Sequence, residues 1–279
     1  MSDILVLVLL LIGVTAGFIG ALTGLGGGVV LVPLLTLLLG VSIAYASGAS
    51  LIATIATSSA AGGVYIRDRI TNVKIGMSLE IATTLGAIIG ALIAGLIYAA
   101  GLDSIVYIVF GLALLSSIYL MVRKRSRRKF AQYSTTKRLQ LTGEYTDAAT
   151  GRTVRYYGAR WWAGEAVMLM AGVLSGLLGI GSGALKVLGM DWVMNLPTKV
   201  STATSNFMIG VTAAAGSVIF WELGYVQPFL AGTTAIGVLA GAVLGSVVFE
   251  RLASGRVRLL FIFVLVALAA EMLLRGVGL

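Results

Sequence analysis

The stretch Thr23 to Leu35, TGLGGGVVLVPLL, lies inside apolar sequence yet places Gly24, Gly26, Gly27 and Gly28 within five positions. A glycine costs roughly 1 kcal/mol in a helix interior, and backbone groups released in hydrocarbon must find partners in protein or in a water-lined cavity. The string therefore predicts a deliberate break in a membrane helix. A second string, Leu178 to Val187 (LGIGSGALKV), repeats the pattern: a slide of 155 positions lays Gly17, Gly24, Gly26 and Gly28 on Gly172, Gly179, Gly181 and Gly183. Interrupted segments at matching places in two halves of a membrane protein point to a transport site.

Composition sets the class. With 58% hydrophobic and only 11% charged residues, and a mean hydropathy of +1.02, the 279-residue chain reads as an integral membrane protein. It has no cysteine and no histidine, which removes disulfides, thiolate or imidazole metal sites, Cys or Ser-His-Asp nucleophiles and histidine pH switching. No enzyme activity, cofactor or metal is expected. The formal charge of +9 could suggest nucleic acid, but 11 of the 20 Lys and Arg lie between Arg123 and Arg160, a topology signal rather than a nucleic-acid surface. The start, MSDILVLVLLLIGVTAGF, lacks a basic n-region and stays apolar too long for a cleaved signal peptide.

The first apolar run, from about Ile4 to Leu22, is long enough to cross a bilayer. Val29 to Leu39 is too short to do so, and Pro33 near its start suits a first helical turn. Ala46 to Ile66 is dense in Ser, Thr, Gly and Ala, the composition that lets membrane helices approach closely. Two long apolar runs follow, Ile75 to Ala99 and Ile105 to Val122. The segment 123–160 opens with RKRSRRK and holds QLTGEYTDAATGRTVRYY, which reads either as a small hairpin around DAATG or as a basic linker. After Trp161 and Trp162, read as interface anchors, the pattern recurs. Ser47, Ala49, Ile55 and Gly62 fall on Ser201, Ala203, Ile209 and Gly216, and Thr83, Gly86 and Gly90 on Thr234, Gly237 and Gly241. The expected fold is an all-α polytopic membrane protein made of two repeats of about five apolar helical segments each, residues 1–122 and 161–279, joined by the basic loop.

Positive charge sets orientation. Basic residues cluster in RDRITNVK (Arg67 to Lys74), in 123–160 and in RLASGRVR (Arg251 to Arg258), whereas GLDS and ELGYVQ lack them. Putting all three basic loops in the cytoplasm inverts the two halves and leaves both termini outside. Arg275 alone fits this poorly.

A broken helix presents N–H groups and the positive end of its dipole where its second half begins, which suits an anion. The candidates are Gly26, Gly27 and Gly28 at the first break and Gly181, Ser182 and Gly183 at the second, with Ser50, Thr54, Thr204, Ser205 and Asn206 from the third segments as hydroxyl and amide donors. Lys186, in an apolar run, either meets the anion, snorkels to an interface, or pairs with Asp191. On the anion reading, Lys186→Met weakens binding while leaving stability unchanged or improved. The acids Glu80, Glu165, Glu250 and Glu271 look mostly interfacial and identify no coupling ion; a proton is one candidate.

TGLGGGVVLVPLL, YASGASLIATIATSSAAGG and above all LPTKVSTATSNFMIGVTAAAG resemble the TauE/SafE family of sulfite and organosulfonate exporters, also called the toluene-sulfonate uptake permeases. The resemblance covers both halves but not the basic loop. It implies a secondary transporter, an exporter, of small sulfur-containing anions in the cell inner membrane, with the break glycines and third-segment Ser, Thr and Asn near the substrate. Ser182 in place of a fourth glycine, Lys186 and the long loop depart from the first copy or from the usual core. An anion channel, or a transporter of another small carboxylate or oxyanion, remains the alternative; a membrane enzyme or scaffold would have little use for two broken helices.

Overall fold

Both glycine strings break the helix by the same backbone device. Gly24 and Gly26 have φ of +73° and +80°, and Gly179 and Gly181, 155 positions on, have φ of +67° and +74°. This left-handed region costs a side-chain-bearing residue roughly 1–2 kcal/mol, so glycine at these positions turns the chain without strain. The halves differ just afterwards: Gly27 is right-handed at φ −60°, whereas Ser182 is left-handed at φ 46°.

A computed structural model of the chain describes residues 3–122, 141–147, 151–251 and 254–278. The first half runs α1 (Asp3–Thr23), α2 (Gly28–Leu38), α3 (Ile43–Arg67, with a π turn at Ser58–Gly62), α4 (Val73–Ala99) and α5 (Asp103–Val122). The second runs α6 (Trp161–Leu178), α7 (Gly183–Leu188, continued by a π turn at Gly189–Val193), α8 (Thr198–Glu222), α9 (Pro228–Arg251) and α10 (Ser254–Val277). Among the described residues six helices are long and apolar enough to cross a membrane: α1, α3, α4, α6, α8 and α9. Leu7, Ile81, Leu96, Ile236 and Leu244 stand exposed on them, the outward apolar surface that lipid requires. The chain is thus an all-α, multi-pass membrane protein. Pro33 is the sixth residue of α2 rather than part of its first turn, so the carbonyl of Val29 loses its helical donor.

The halves interlock by exchange. The first helix of each packs along the fourth of the other, α1 on α9 and α6 on α4, while α3 packs on α8 and α5 on α10. Glycine permits the closest approaches. A Cβ at Gly13, Gly17, Gly237 or Gly241 would strike the carbonyl of Thr234, Val238, Leu10 or Val14, and one at Gly172, Gly176, Gly86 or Gly90 that of Thr83, Ala87, Leu169 or Val173. These two sets correspond when α1 is slid by 159 positions, which puts Gly13, not Gly17, in the place of Gly172. The breaks match at 155, so α1 holds one helical turn more than α6 between its glycine rail and its break.

The segment after α5 contains a hairpin, β1 (Thr142–Asp147) and β2 (Arg152–Tyr157), antiparallel, with Glu144 opposite Arg155 and their side chains 3.1 Å apart. The basic run Arg123–Lys129 lies outside the described residues. The hairpin is tied to the helices: Ala159 N donates to Met194 O at 2.9 Å, and Asn72 Nδ2 donates to the Tyr156 hydroxyl at 3.1 Å. Asn72 also caps α4, accepting from Ile75 N at 3.1 Å. Of the tryptophan pair, Trp162 is exposed and Trp161 Nε1 donates to Ser78 Oγ at 2.8 Å.

Candidate functional site

The two breaks touch. A Cβ built on Gly28 would come within 3.1 Å of Ile180 Cα, and one on Gly183 would meet Leu25. Ile209 of α8 wedges between them, lying 2.9 Å from the Cβ position of Gly26 and 3.4 Å from that of Gly181. Broken backbone in hydrocarbon survives only if its polar groups are satisfied, and α3 and α8 supply the partners. Ser205 Oγ donates to Gly24 O at 2.9 Å, with Gly183 O at 3.2 Å, and so clasps both breaks. Ser47 Oγ donates to Leu178 O at 3.1 Å, Gly27 N donates to Thr57 Oγ1 at 3.3 Å, and Asn206 Nδ2 reaches Ala21 O at 3.4 Å and Thr202 O at 3.2 Å.

This accounting sorts the residues singled out from sequence. Ser205 and the Asn206 amide donors are committed to backbone carbonyls, and Thr204 Oγ1 accepts from Asn72 N at 3.1 Å. All three serve as helix ties in this state. Ser50, Thr54 and Ser182 differ: each hydroxyl is buried and has no hydrogen-bond partner among the described residues. Two of them lie beside the start of α2, since a Cβ on Gly28 would fall 2.8 Å from Thr54 Oγ1 and closer still to Ser50 Oγ. Neither N-cap residue, Gly27 of α2 nor Ser182 of α7, caps its helix with its own side chain. The crossing therefore gathers Gly26, Gly27 and Gly28 with Gly181, Ser182 and Gly183, two buried hydroxyls beside the α2 start, and walls of Ile180, Ile209 and Leu25.

Lys186 takes neither of its bland alternatives. Its side chain is fully buried, so it does not snorkel, and its ion partner is Glu80, with Nζ 3.9 Å from Oε2, not Asp191. Lys186 Nζ also donates to Thr212 Oγ1, and Thr212 donates onward to Glu80 Oε1 at 2.5 Å. Asp191 instead accepts from Thr198 Oγ1 at 3.2 Å. Nor is Glu80 interfacial: it sits two turns into α4, 7% exposed, and accepts from Thr84 at 3.2 Å as well. The sequence reading set Glu80 among the mostly interfacial acids and did not single out Thr212. The available signal was an acid in an apolar helix of one half and a lysine in the other, which hydrocarbon forces to find partners.

Among the described residues no cluster of His, Cys, Asp and Glu could hold a metal ion. The crossing gathers buried hydroxyls, the Asn206 Oδ1 that has no hydrogen-bond partner among the described residues, and backbone N–H groups in an apolar shell.

Similarity to known proteins agrees with this geometry. The family model described as "Sulfite exporter TauE/SafE" matches residues 9–272. The "Probable membrane transporter protein YunE" of Bacillus subtilis (strain 168) is 28% identical over 277 residues, covering 97% of this chain and 98% of that one. The "Probable membrane transporter protein YdhB" of the same organism is 29% identical over 243 residues, 87% of this chain and 88% of that one. No solved structure matches. Because the family model takes in both breaks and both third-segment helices, the chain belongs to the TauE/SafE sulfite exporter family of membrane transporters.

Proposed function

We propose that the chain exports small sulfur-containing anions, sulfite or organosulfonates, by alternating access around the crossing of the two breaks. The observation that carries this reading is the pair of buried, unengaged hydroxyls, Ser50 and Thr54, set beside the start of α2. Two hydroxyls beside a helix N-terminus favour an anion, and a group with several acceptor oxygens, as a sulfonate has, can accept from both. The apolar walls would accept the carbon end of an organosulfonate. Reciprocal packing of the halves gives the motion a shape: two units related by inversion can rock about a crossing that stays in place. The partners of the chain on this reading are the small anion and the lipid bilayer, with no nucleic acid.

Ligand-induced thermal stabilisation of the purified protein, measured across sulfite, sulfoacetate, taurine, sulfate, a carboxylate and a neutral solute, tests the reading. Stabilisation by the sulfur anions is expected. Ser50→Ala with Thr54→Val should weaken that binding about 5- to 150-fold, the equivalent of about 1–3 kcal/mol for lost hydrogen bonds to a charged group. Preference for a cation or the neutral solute would overturn it.

The same reading places the protein in the cell inner membrane with both termini outside and 123–160 in the cytoplasm. The chain contains no cysteine, so Thr146→Cys, on the exposed face of β1, offers a single thiol. An impermeant maleimide should label it only after cells are opened. Labelling of intact cells would reverse the orientation.

A further inference from the structure

The Lys186–Glu80 pair breaks the internal repeat. At the slide that matches the breaks Lys186 falls on Leu31, and at the slide that matches the fourth helices Glu80 falls on Ala231. Two buried charges on helices from different halves are thus an addition to the doubled scaffold, and both sit close to the crossing. Thr212, which holds Lys186 and Glu80 together, lies three residues beyond Ile209 on α8, about 4.5 Å along the axis. Ile209 is the side chain wedged between Gly26 and Gly181. A helical side chain leans back over the turn before it, so the flexible stem of Lys186 carries its ammonium toward the break and away from the C-terminal end of α7.

Glu80 is held asymmetrically. Its Oε1 accepts from both Thr212 and Thr84, whereas Oε2 is buried, has no hydrogen-bond donor, and faces the ammonium across 3.9 Å. Oε2 is therefore the atom with room for a proton. Elsewhere on the elements around this pair the charged side chains include Lys74, Asp103, Glu165, Asp191, Lys199 and Glu222. Among the described residues neither Glu80 nor Lys186 makes an ion pair besides the one they share.

We propose that Glu80 carries a coupling proton and that Lys186 is the cation shared in turn by Glu80 and the transported anion, so that one proton crosses with each monovalent anion in the same direction. This rests on the anion site proposed above. Without substrate, ammonium and carboxylate neutralise each other. When an anion enters, a proton from the aqueous phase open to the site binds Glu80 Oε2, and the ammonium released from the carboxylate neutralises the anion instead. The site is neutral in both states. Adding only the anion, or only the proton, would leave an uncompensated charge inside the membrane, and that cost is what ties the two together.

The test uses the full chain in detergent with methanesulfonate, a monoanion, as the probe. Titration calorimetry in two buffers of different ionisation heat should find about one proton taken up per anion bound where Glu80 is ionised. The apparent Kd should rise about tenfold per pH unit there, as linkage of one proton to binding requires. Glu80→Gln should bind without proton uptake and with an affinity independent of pH. Should that variant fail to fold, the proton count of the unaltered protein decides. Anion binding with no proton uptake, or with proton release, would overturn the coupling and leave the anion site standing. Uptake that persists in Glu80→Gln would remove Glu80 as the carrier. Failure of methanesulfonate, sulfite and sulfoacetate to bind at all would overturn the anion reading itself.

Discussion

Lys186→Met is expected to destabilise the protein by about 3–5 kcal/mol, the cost of stranding one partner of a buried ion pair, and adding Glu80→Gln should recover most of the loss. Seen as an isolated intramembrane lysine, Lys186 could be exchanged for an apolar residue at no cost or with a gain. The structure changes the sign. Lys186 is fully buried, and the carboxylate beside it is 7% exposed with one oxygen lacking any hydrogen-bond donor. Removing the ammonium leaves Glu80 either charged in hydrocarbon or forced to take up a proton. The double variant removes both charges and keeps similar volume, a replacement that in other proteins is neutral or stabilising. Thermal unfolding of the two single variants and the double variant in one detergent measures the coupling. Single variants as stable as the parent would show that Glu80 and Lys186 are not bound to each other in the folded protein.

The second large effect belongs to the break itself. Gly179→Ala combines two penalties. The left-handed φ of +67° costs an L side chain roughly 1–2 kcal/mol. The new Cβ would also lie 2.6 Å from Ser47 Cβ and 2.7 Å from Ser47 O, and overpacking of that kind typically costs about 1–3 kcal/mol. The total expected is about 2–5 kcal/mol. Gly40→Ala is the control, with φ of +62° and nothing within 4 Å of the added carbon, so it should show the conformational penalty alone. Equal losses at the two positions would mean that the second break does not press on α3. Because Ser47 holds Leu178 O, Gly179→Ala should also loosen the crossing and weaken anion binding, whereas Gly40→Ala should not.

What the sequence revealed, and what it hid, divides along physical lines. The breaks were legible because left-handed backbone inside a membrane helix demands glycine, and the demand recurs 155 positions later. The hairpin was half legible: alternation around DAATG suits a local strand pair, but the same segment read equally as a basic linker. The extra turn in α1 was hidden, because small residues recur every four positions and Gly13 and Gly17 fit the slide equally well until contacts choose between them. The Lys186–Glu80 pair was hidden for a related reason: its members are on different helices in different halves, and periodicity within a helix says nothing about which helix lies opposite. Ser205 and Asn206 resembled ligand donors on chemistry alone. Only the positions of Gly24 O, Gly183 O and Ala21 O show those donors tied to backbone, while Ser50 and Thr54 are left to face the crossing.

The most direct measurement of a carrier with its anion site at the crossing is counterflow in proteoliposomes holding the purified chain. Vesicles loaded with unlabelled sulfite or sulfoacetate and diluted into a trace of the labelled anion should accumulate label transiently, with a rate that saturates with concentration and falls sharply in Ser50→Ala with Thr54→Val. A flux that rises linearly with concentration and shows no transient accumulation would make the protein a pore, and counterflow driven equally by a neutral solute would contradict the anion site.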